Sequence, residues 1–243
     1  MRLRRKGVGW REEAKKRAAH EAVKHLKDGF TLGLGSGSTA AYAIREIGRK
    51  IHQEDLRILG VPTSYQAFLL AVDCGIPLTT LNEHPELDLT IDGADQIDKA
   101  LNLIKGMGGA LTREKIVASA SKQLVIVADE TKLVEKLGTN HPVPVETLPF
   151  ALPSVMLKVR EMRGRPALRE GRGKVGPVVT DNGNFIVDID FGLINSPKEL
   201  NSRLKLIPGV VETGLFIEMA DIIYVGKPAS VEKLERKSDF ETG

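Results

Sequence analysis

Cysteine is almost missing from this chain: Cys74 is the only one among 243 residues. No internal disulfide can form and a cysteine-built metal site is excluded, which suits a reducing cytoplasm. No apolar run approaches the roughly 20 residues that span a bilayer. The basic start (Arg2, Arg4, Arg5, Lys6) is not followed by the apolar segment of a secretory signal. A cytoplasmic location without a membrane partner is therefore expected. A dominant charge is lacking too: 35 basic against 32 acidic residues leave +3. That argues against a nucleic-acid partner, although a small anion needs only a local basic site. His20, His25, His52, His84 and His141 form no i,i+4 pair with a carboxylate partner, so no metal site is expected.

What is present is a hydrophobic share of 42%, enough for a sizeable core. Ala14, Ala18, Ala22 and Leu26 stand four apart, predicting an amphipathic helix over 10–28 that Gly29 ends. Apolar runs at 30–34, 56–61, 76–81, 87–92 and 123–128 read as strands, with helices over 40–50 and 63–74 between them. This alternation predicts an α/β fold: an open, mostly parallel, Rossmann-like sheet with helices on both faces. Cys74, on a helix with Leu70 and Ala71, is expected as core filler.

From His141 the pattern changes, and Pro142, Pro144, Pro149 and Pro153 punctuate the chain. Helices over 154–162 and 197–206 mix with strands near 166–169, 178–180, 185–189 and 210–213. Asp181-Asn182-Gly183-Asn184 is a hairpin-turn signal. These elements predict a smaller α+β, ferredoxin-like domain over 142–216. The apolar run 220–225 then returns to the large sheet, giving a large catalytic domain of 1–141 and 217–243. Exposed faces of the small domain are expected to pair copies into a homodimer or homotetramer. Residues 1–9 and 238–243 are expected to fray.

Two stretches carry chemistry. Gly35-Ser36-Gly37-Ser38-Thr39 stands between a strand and a helix, where backbone N–H groups and a helix N-terminus bind phosphate. It is neither a dinucleotide fingerprint nor a P-loop. Taken alone, it reads equally as a tight turn with Ser38 or Thr39 as helix N-cap. The second stretch, 87–119, opens with a strand ending at Asp92 and places Asp95 three residues on. It then delivers Lys105 into the turn Gly106-Met107-Gly108-Gly109, ahead of a helix whose first turn holds Thr112, Arg113 and Glu114. Moving a proton between adjacent carbons while holding an anion needs such an inventory. Ser36, Asp92, Lys105 and Asp129 all read as lying at or after the carboxyl ends of sheet strands, where open α/β sheets bind ligands. Lys132, just beyond, reads as an anion ligand or as a solvated lysine.

Three motifs, GLGSGSTA at 33–40, DGADQID at 92–98 and KGMGGALTREKIVAS at 105–119, resemble the type A ribose-5-phosphate isomerase family. Weaker echoes are PVPVE at 142–146, VTDNGN at 179–184 and IPGVVETGLF at 207–216. The resemblance implies interconversion of ribose 5-phosphate and ribulose 5-phosphate, in the non-oxidative pentose phosphate pathway, without metal or organic cofactor. It puts the general base on Glu114, the site aspartates on Asp92 and Asp95, and the site lysine on Lys105. The substrate loop falls on Ser36, Gly37, Ser38 and Thr39, with Gly93, Ala94, Gly106, Met107 and Gly108 beside the ligand. A second lysine near the phosphate falls on Lys132, and an N-terminal one on Lys15, where Lys16 fits almost as well. Met107 departs from the glycine common in relatives; its N–H can serve, but its side chain must point away.

Aldose–ketose isomerisation passes through a cis-enediolate and needs a carboxylate base with a cation at the developing oxyanion. The helix dipole would lower the Glu114 pKa, and burial with Asp92 and Asp95 nearby would have to raise it. Asp92 would relay the hydroxyl proton or assist ring opening, and Asp95 would orient hydroxyls; the two roles can be exchanged. Two other functions fit the same sheet. A sugar-phosphate sensor would usually add a DNA-reading helix pair, which 1–29 does not offer. An acyl- or CoA-transferring enzyme would need a larger groove.

Overall fold

The structure, a computed structural model, describes residues 9–171, 173 and 175–236. The ends expected to fray lie outside these residues, except Gly9, which opens the first helix. In chain order the strands are β1 (Thr31–Leu34), β2 (Leu59–Pro62), β3 (Leu89–Gly93), β4 (Gln96–Ile97), β5 (Leu103–Ile104), β6 (Leu124–Asp129), β7 (Val143–Thr147), β8 (Arg165–Leu168), β9 (Phe185–Asp190), β10 (Val210–Thr213), β11 (Leu215–Phe216), β12 (Ile222–Gly226) and β13 (Val231–Glu235). The helices are α1 (Gly9–Val23), α2 (Ala40–Glu54), α3 (Tyr65–Asp73), α4 (Leu111–Ser119), α5 (Leu152–Glu161) and α6 (Pro197–Lys205). The described parts of Met1–Gly93, Val117–Thr131 and Met219–Gly243 form one compact unit; Ala94–Ile116 and Lys132–Glu218 form the other.

The first unit is built on a six-stranded sheet in the order β13-β12-β6-β3-β1-β2. Every pair is parallel except the edge pair β12–β13. Strand β6 is buried at all six positions, as a strand covered on both faces must be. Leu32, Leu34, Leu89, Ile91, Val125 and Val127 pack on one face with Ala18, Ala22, Ile44 and Ile47 from α1 and α2. Side chains alternate along a strand, so Gly33 turns to the other face. There an added Cβ would stand 2.5 Å from Val117 of α4. The alanines of α1 let helix and sheet backbones touch: a Cβ on Gly226 would fall 2.0 Å from the Ala14 carbonyl.

The second unit holds β7-α5-β8-β9-α6-β10 with antiparallel order β10-β7-β9-β8, the ferredoxin-like arrangement. Val143, Val145, Val155, Val159, Val187, Ile189 and Leu204 form its core. A separate three-stranded sheet, β11-β5-β4, belongs to this unit too. That pairing brings 94–116 into the second unit, whereas the pattern of prolines, helices and hairpin strands reads as a small domain over 142–216.

Several expected elements differ. The first helix stops at Val23, and i→i+3 bonds carry the turn on to Leu26. The strand read at 76–81 is only an isolated bridge, Gly60↔Leu78, and that at 178–180 only Val179↔Phe185. Conversely, Pro142 and Pro144 flank and interrupt a run that is nonetheless strand β7, buried throughout. Cys74 caps α3 half-buried against the core, and burial pushes its thiol pKa up. Among the described residues, no helix is long and apolar enough to cross a membrane.

Candidate functional site

The predicted site residues fall into two groups, one in each unit. In the first unit, β1 runs into the Gly35–Thr39 loop and β3 ends beside it. The buried Asp92 carboxylate accepts from the Ser36 N–H (3.0 Å) and the Gly93 N–H (2.7 Å) through one oxygen, Oδ1. Gly35 allows this approach: an added Cβ would lie 2.3 Å from Asp92 Oδ1 and 2.5 Å from its Cα. Ser36 Oγ bonds Thr63 Oγ1 (2.8 Å) and Ser64 Oγ (2.5 Å), and Gly37 N–H donates to Gln66 Oε1 (2.9 Å). Gly37 adopts φ +98° in open space. Ser38 is exposed, and Lys15 Nζ donates to its Oγ (3.2 Å) and to Glu12 Oε1 (3.0 Å). Lys16 instead pairs with Glu13. Thr39 stands at the N-cap of α2, but its side chain makes no cap bond. Asp129 ends β6, where it accepts from Thr131 N–H (3.0 Å) and Oγ1 (2.5 Å).

In the second unit, β5 delivers Lys105 into a turn closed by a bond from Gly109 N–H to the Gly106 carbonyl (3.0 Å). Gly106 (φ +106°) and Gly109 (φ +83°) supply the left-handed geometry. Lys105 therefore follows a strand of the small three-stranded sheet, not of the large sheet as the apolar pattern implied. The turn opens α4, and its first turn brings Glu114 Oε2 to 3.2 Å from Lys105 Nζ. Both residues are buried, Glu114 at 5% and Lys105 at 3% exposure. Lys105 Nζ also stands 5.3 Å from the centre of the Phe216 ring. Asp95 Oδ2 accepts from the Met107 N–H (3.0 Å), and the Met107 side chain is exposed. Ala94 and Lys132 are half-buried, and Gly108 is exposed.

Three features of these groups escaped the sequence pattern. Arg169 donates to the carbonyls of Gly106 (2.8 Å) and Met107 (3.0 Å) and forks onto Asp188, so it clamps the Lys105 turn. Glu146 is fully buried and takes bonds from Thr112, Thr180, Asn182 and Asn184. The echoes PVPVE and VTDNGN thus meet at one carboxylate that braces the start of α4. Lys115, one position after Glu114, has a side chain only 14% exposed; its ammonium donates to the Thr213 (2.7 Å) and Leu215 (2.9 Å) carbonyls and pairs with Glu212 (3.0 Å). Burial lowers its pKa to about 8 against the pull of Glu212. Only the polar spacing of 180–184 hinted at any of this.

In the second unit the arrangement offers a carboxylate and an ammonium in contact, out of water, beside a glycine turn. In the first it offers a loop of hydroxyl and N–H groups with an ammonium at its edge. Among the described residues, no group of three or more His, Cys, Asp or Glu side chains is placed to hold a metal ion.

Comparison with known proteins shows the family. The profile described as Ribose 5-phosphate isomerase A (phosphoriboisomerase A) matches residues 59–230. The Ribose-5-phosphate isomerase A of Methanosarcina acetivorans is 50% identical over 227 residues, covering 93% of this chain and 96% of that one. The ribose 5-phosphate isomerase A structure of Methanocaldococcus jannaschii superposes with a TM-score of 0.89 at 46% identity, over 92% of this chain and 99% of that one. A D-ribose-5-phosphate isomerase solved with phospho-erythronic acid superposes with a TM-score of 0.91 at 45% identity, over 93% and 99%. Family profile, near-full-length identity and shared fold agree: this chain belongs to the ribose 5-phosphate isomerase A family.

Proposed function

We propose that the protein interconverts D-ribose 5-phosphate and D-ribulose 5-phosphate through a cis-enediolate, with Glu114 as general base. Family membership supports the reaction, and the observation that carries the mechanism is the buried Lys105–Glu114 pair at 3.2 Å. Glu114 takes the proton from C2 of the open-chain aldose, and the electron pair moves into the C1 carbonyl. Lys105 stabilises the resulting oxyanion, in surroundings where charge is weakly screened. A hydroxyl proton passes from O2 to O1, relayed by Asp92 or Asp95. Glu114 then returns its proton to C1, giving the ketose.

The phosphate is held by Ser36, Gly37, Ser38 and Thr39, with Lys15 and Lys132 as its cations. Lys15 is preferred to Lys16 because its ammonium already reaches Ser38 (3.2 Å), whereas Lys16 pairs with Glu13. Backbone groups of Gly93, Ala94, Gly106, Met107 and Gly108 line the sugar. The reading uses no metal or organic cofactor, and places the enzyme in the cytoplasm as a homodimer or homotetramer.

Glu114→Gln tests it. The variant is expected to fold and bind ribose 5-phosphate but to lose exchange of the substrate C–H with solvent, a loss of about 10²–10⁴ in rate. Near-normal turnover would refute the assignment. Conversion of ribose 5-phosphate to ketose with EDTA present separates this reading from a sensor or a transferase, which would give none.

A further inference from the structure

A groove of about 900 Å³ opens in the first unit, lined by α1, α2 and β13. That volume suits a metabolite-sized ligand. Its walls carry Lys16, Arg17, Arg45, Arg49 and Lys233 against Glu21 and Glu46. The excess of three positive charges in this one place equals the net charge of the whole chain. Three of the cations are answered locally: Lys16 by Glu13, Arg49 by Glu46 and Lys233 by Glu235. Arg17 and Arg45 have no carboxylate partner among the described residues. Arg17 is held by the carbonyls of Lys227 (2.5 Å) and Pro228 (2.8 Å), and its buried Nε makes no hydrogen bond. Arg45 lies 5.8 Å from the centre of the Tyr42 ring, and Lys16 lies at the same distance from that ring.

Tyr42 links this groove to the substrate loop. Its hydroxyl donates to Glu12 Oε2 (2.5 Å), Glu12 Oε1 accepts from Lys15 (3.0 Å), and Lys15 reaches Ser38 Oγ (3.2 Å). The bond from Tyr42 holds the Glu12 carboxyl below its usual range, with Lys15 adding to the effect.

We propose that this groove binds an oligophosphate anion, and that its occupancy is transmitted through Tyr42, Glu12 and Lys15 to Ser38. Cations spread over two helices and an edge strand suit several linked phosphates better than a single one. An anion drawn to Arg45 and Lys16 pulls both off the Tyr42 ring and frees its hydroxyl from Glu12. Glu12 then keeps Lys15 as its remaining partner and draws it from Ser38. Substrate phosphate is held more weakly, so KM rises while kcat stays unchanged. The coupling rests on the reading of Lys15 as a phosphate ligand; the binding does not.

The test uses the full chain and inorganic tripolyphosphate as probe, followed by titration calorimetry at low salt. The expected result is one site per chain that weakens as salt is added, survives saturating ribose 5-phosphate, and is at least tenfold weaker in Arg45→Gln/Arg49→Gln. That variant is expected to melt as the wild type does. In kinetics, tripolyphosphate is expected to raise KM several-fold in the wild type but not in Tyr42→Phe, which still binds the probe. Absence of binding at millimolar probe, displacement by the sugar phosphate, or indifference to the double substitution overturns the site. Binding without a KM change overturns the coupling. A protein with no isomerase activity would refute the Glu114 reading, and calorimetry would still decide the groove.

Discussion

Gly35→Ala tests how the phosphate loop and Asp92 are held together. The new Cβ would stand 2.3 Å from Asp92 Oδ1, 2.4 Å from its Cγ and 2.5 Å from its Cα. The last of these is backbone of β3, so no rotamer change relieves it, and loop or strand must shift by about 1 Å. Overpacking of this kind costs about 1–3 kcal/mol. The shift also stretches the bonds from the Ser36 and Gly93 N–H groups to Asp92, and hydrogen bonds to a charged group contribute about 1.5–3 kcal/mol each. A loss of about 3 kcal/mol is expected, which for a chain of this size lowers Tm by about 6–12 °C. Loop and carboxylate move apart together, so kcat/KM is expected to fall at least tenfold at a temperature where the variant is folded. Gly37→Ala is the control. Nothing lies within 4 Å of its added Cβ, and only φ +98° opposes the change, so it loses stability but leaves Asp92 in place. Thermal melts and a ketose-formation assay read both effects. If Gly35→Ala melts within about 2 °C of the wild type with unchanged kcat/KM, the close approach does not hold the loop.

Glu146→Ala strands the buried hydroxyls of Thr112 and Thr180 and removes the acceptor shared by Asn182 and Asn184; a loss of about 3 kcal/mol is expected in denaturant melts, and Glu146→Gln should lose clearly less. Arg169→Leu unclamps the Gly106 and Met107 carbonyls; kcat should fall by about tenfold with partial rescue by added guanidinium, and a kcat equal to wild type would rule the clamp out. Lys115 gives a pH signature. Its pKa falls from 10.5 unfolded to about 8 folded, so between those values the unfolded chain binds more protons and stability rises with pH. Stability measured relative to Lys115→Met should therefore climb from about pH 8 to about pH 10.5, and a flat difference would contradict the burial argument.

Much of this protein is local enough to read along the chain. Runs such as 123–128 are apolar because β6 is covered on both faces, and the Gly35–Thr39 loop follows from a strand meeting a helix at glycines. The hairpin at Asp181–Asn184 formed as its turn residues dictate, with Gly183 at φ +80°. Lys105 and Glu114 were legible as chemistry because a glycine turn and a helix start bracket them within ten positions.

Tertiary structure decided whatever depends on partners far along the chain. Strand β7 carries Pro144 and follows Pro142, yet its pairing with β9 and β10 outweighs that local preference. Residues 94–116 join the second unit because β5 finds β11 more than a hundred positions away. Arg169 on the Lys105 turn, and Thr180 on Glu146, are pairings between segments whose spacing carries no period. Sequence determines which groups are available and the local geometry that presents them. Only long-range pairing determines which of them meet, because a buried polar group must find a partner wherever the fold brings one.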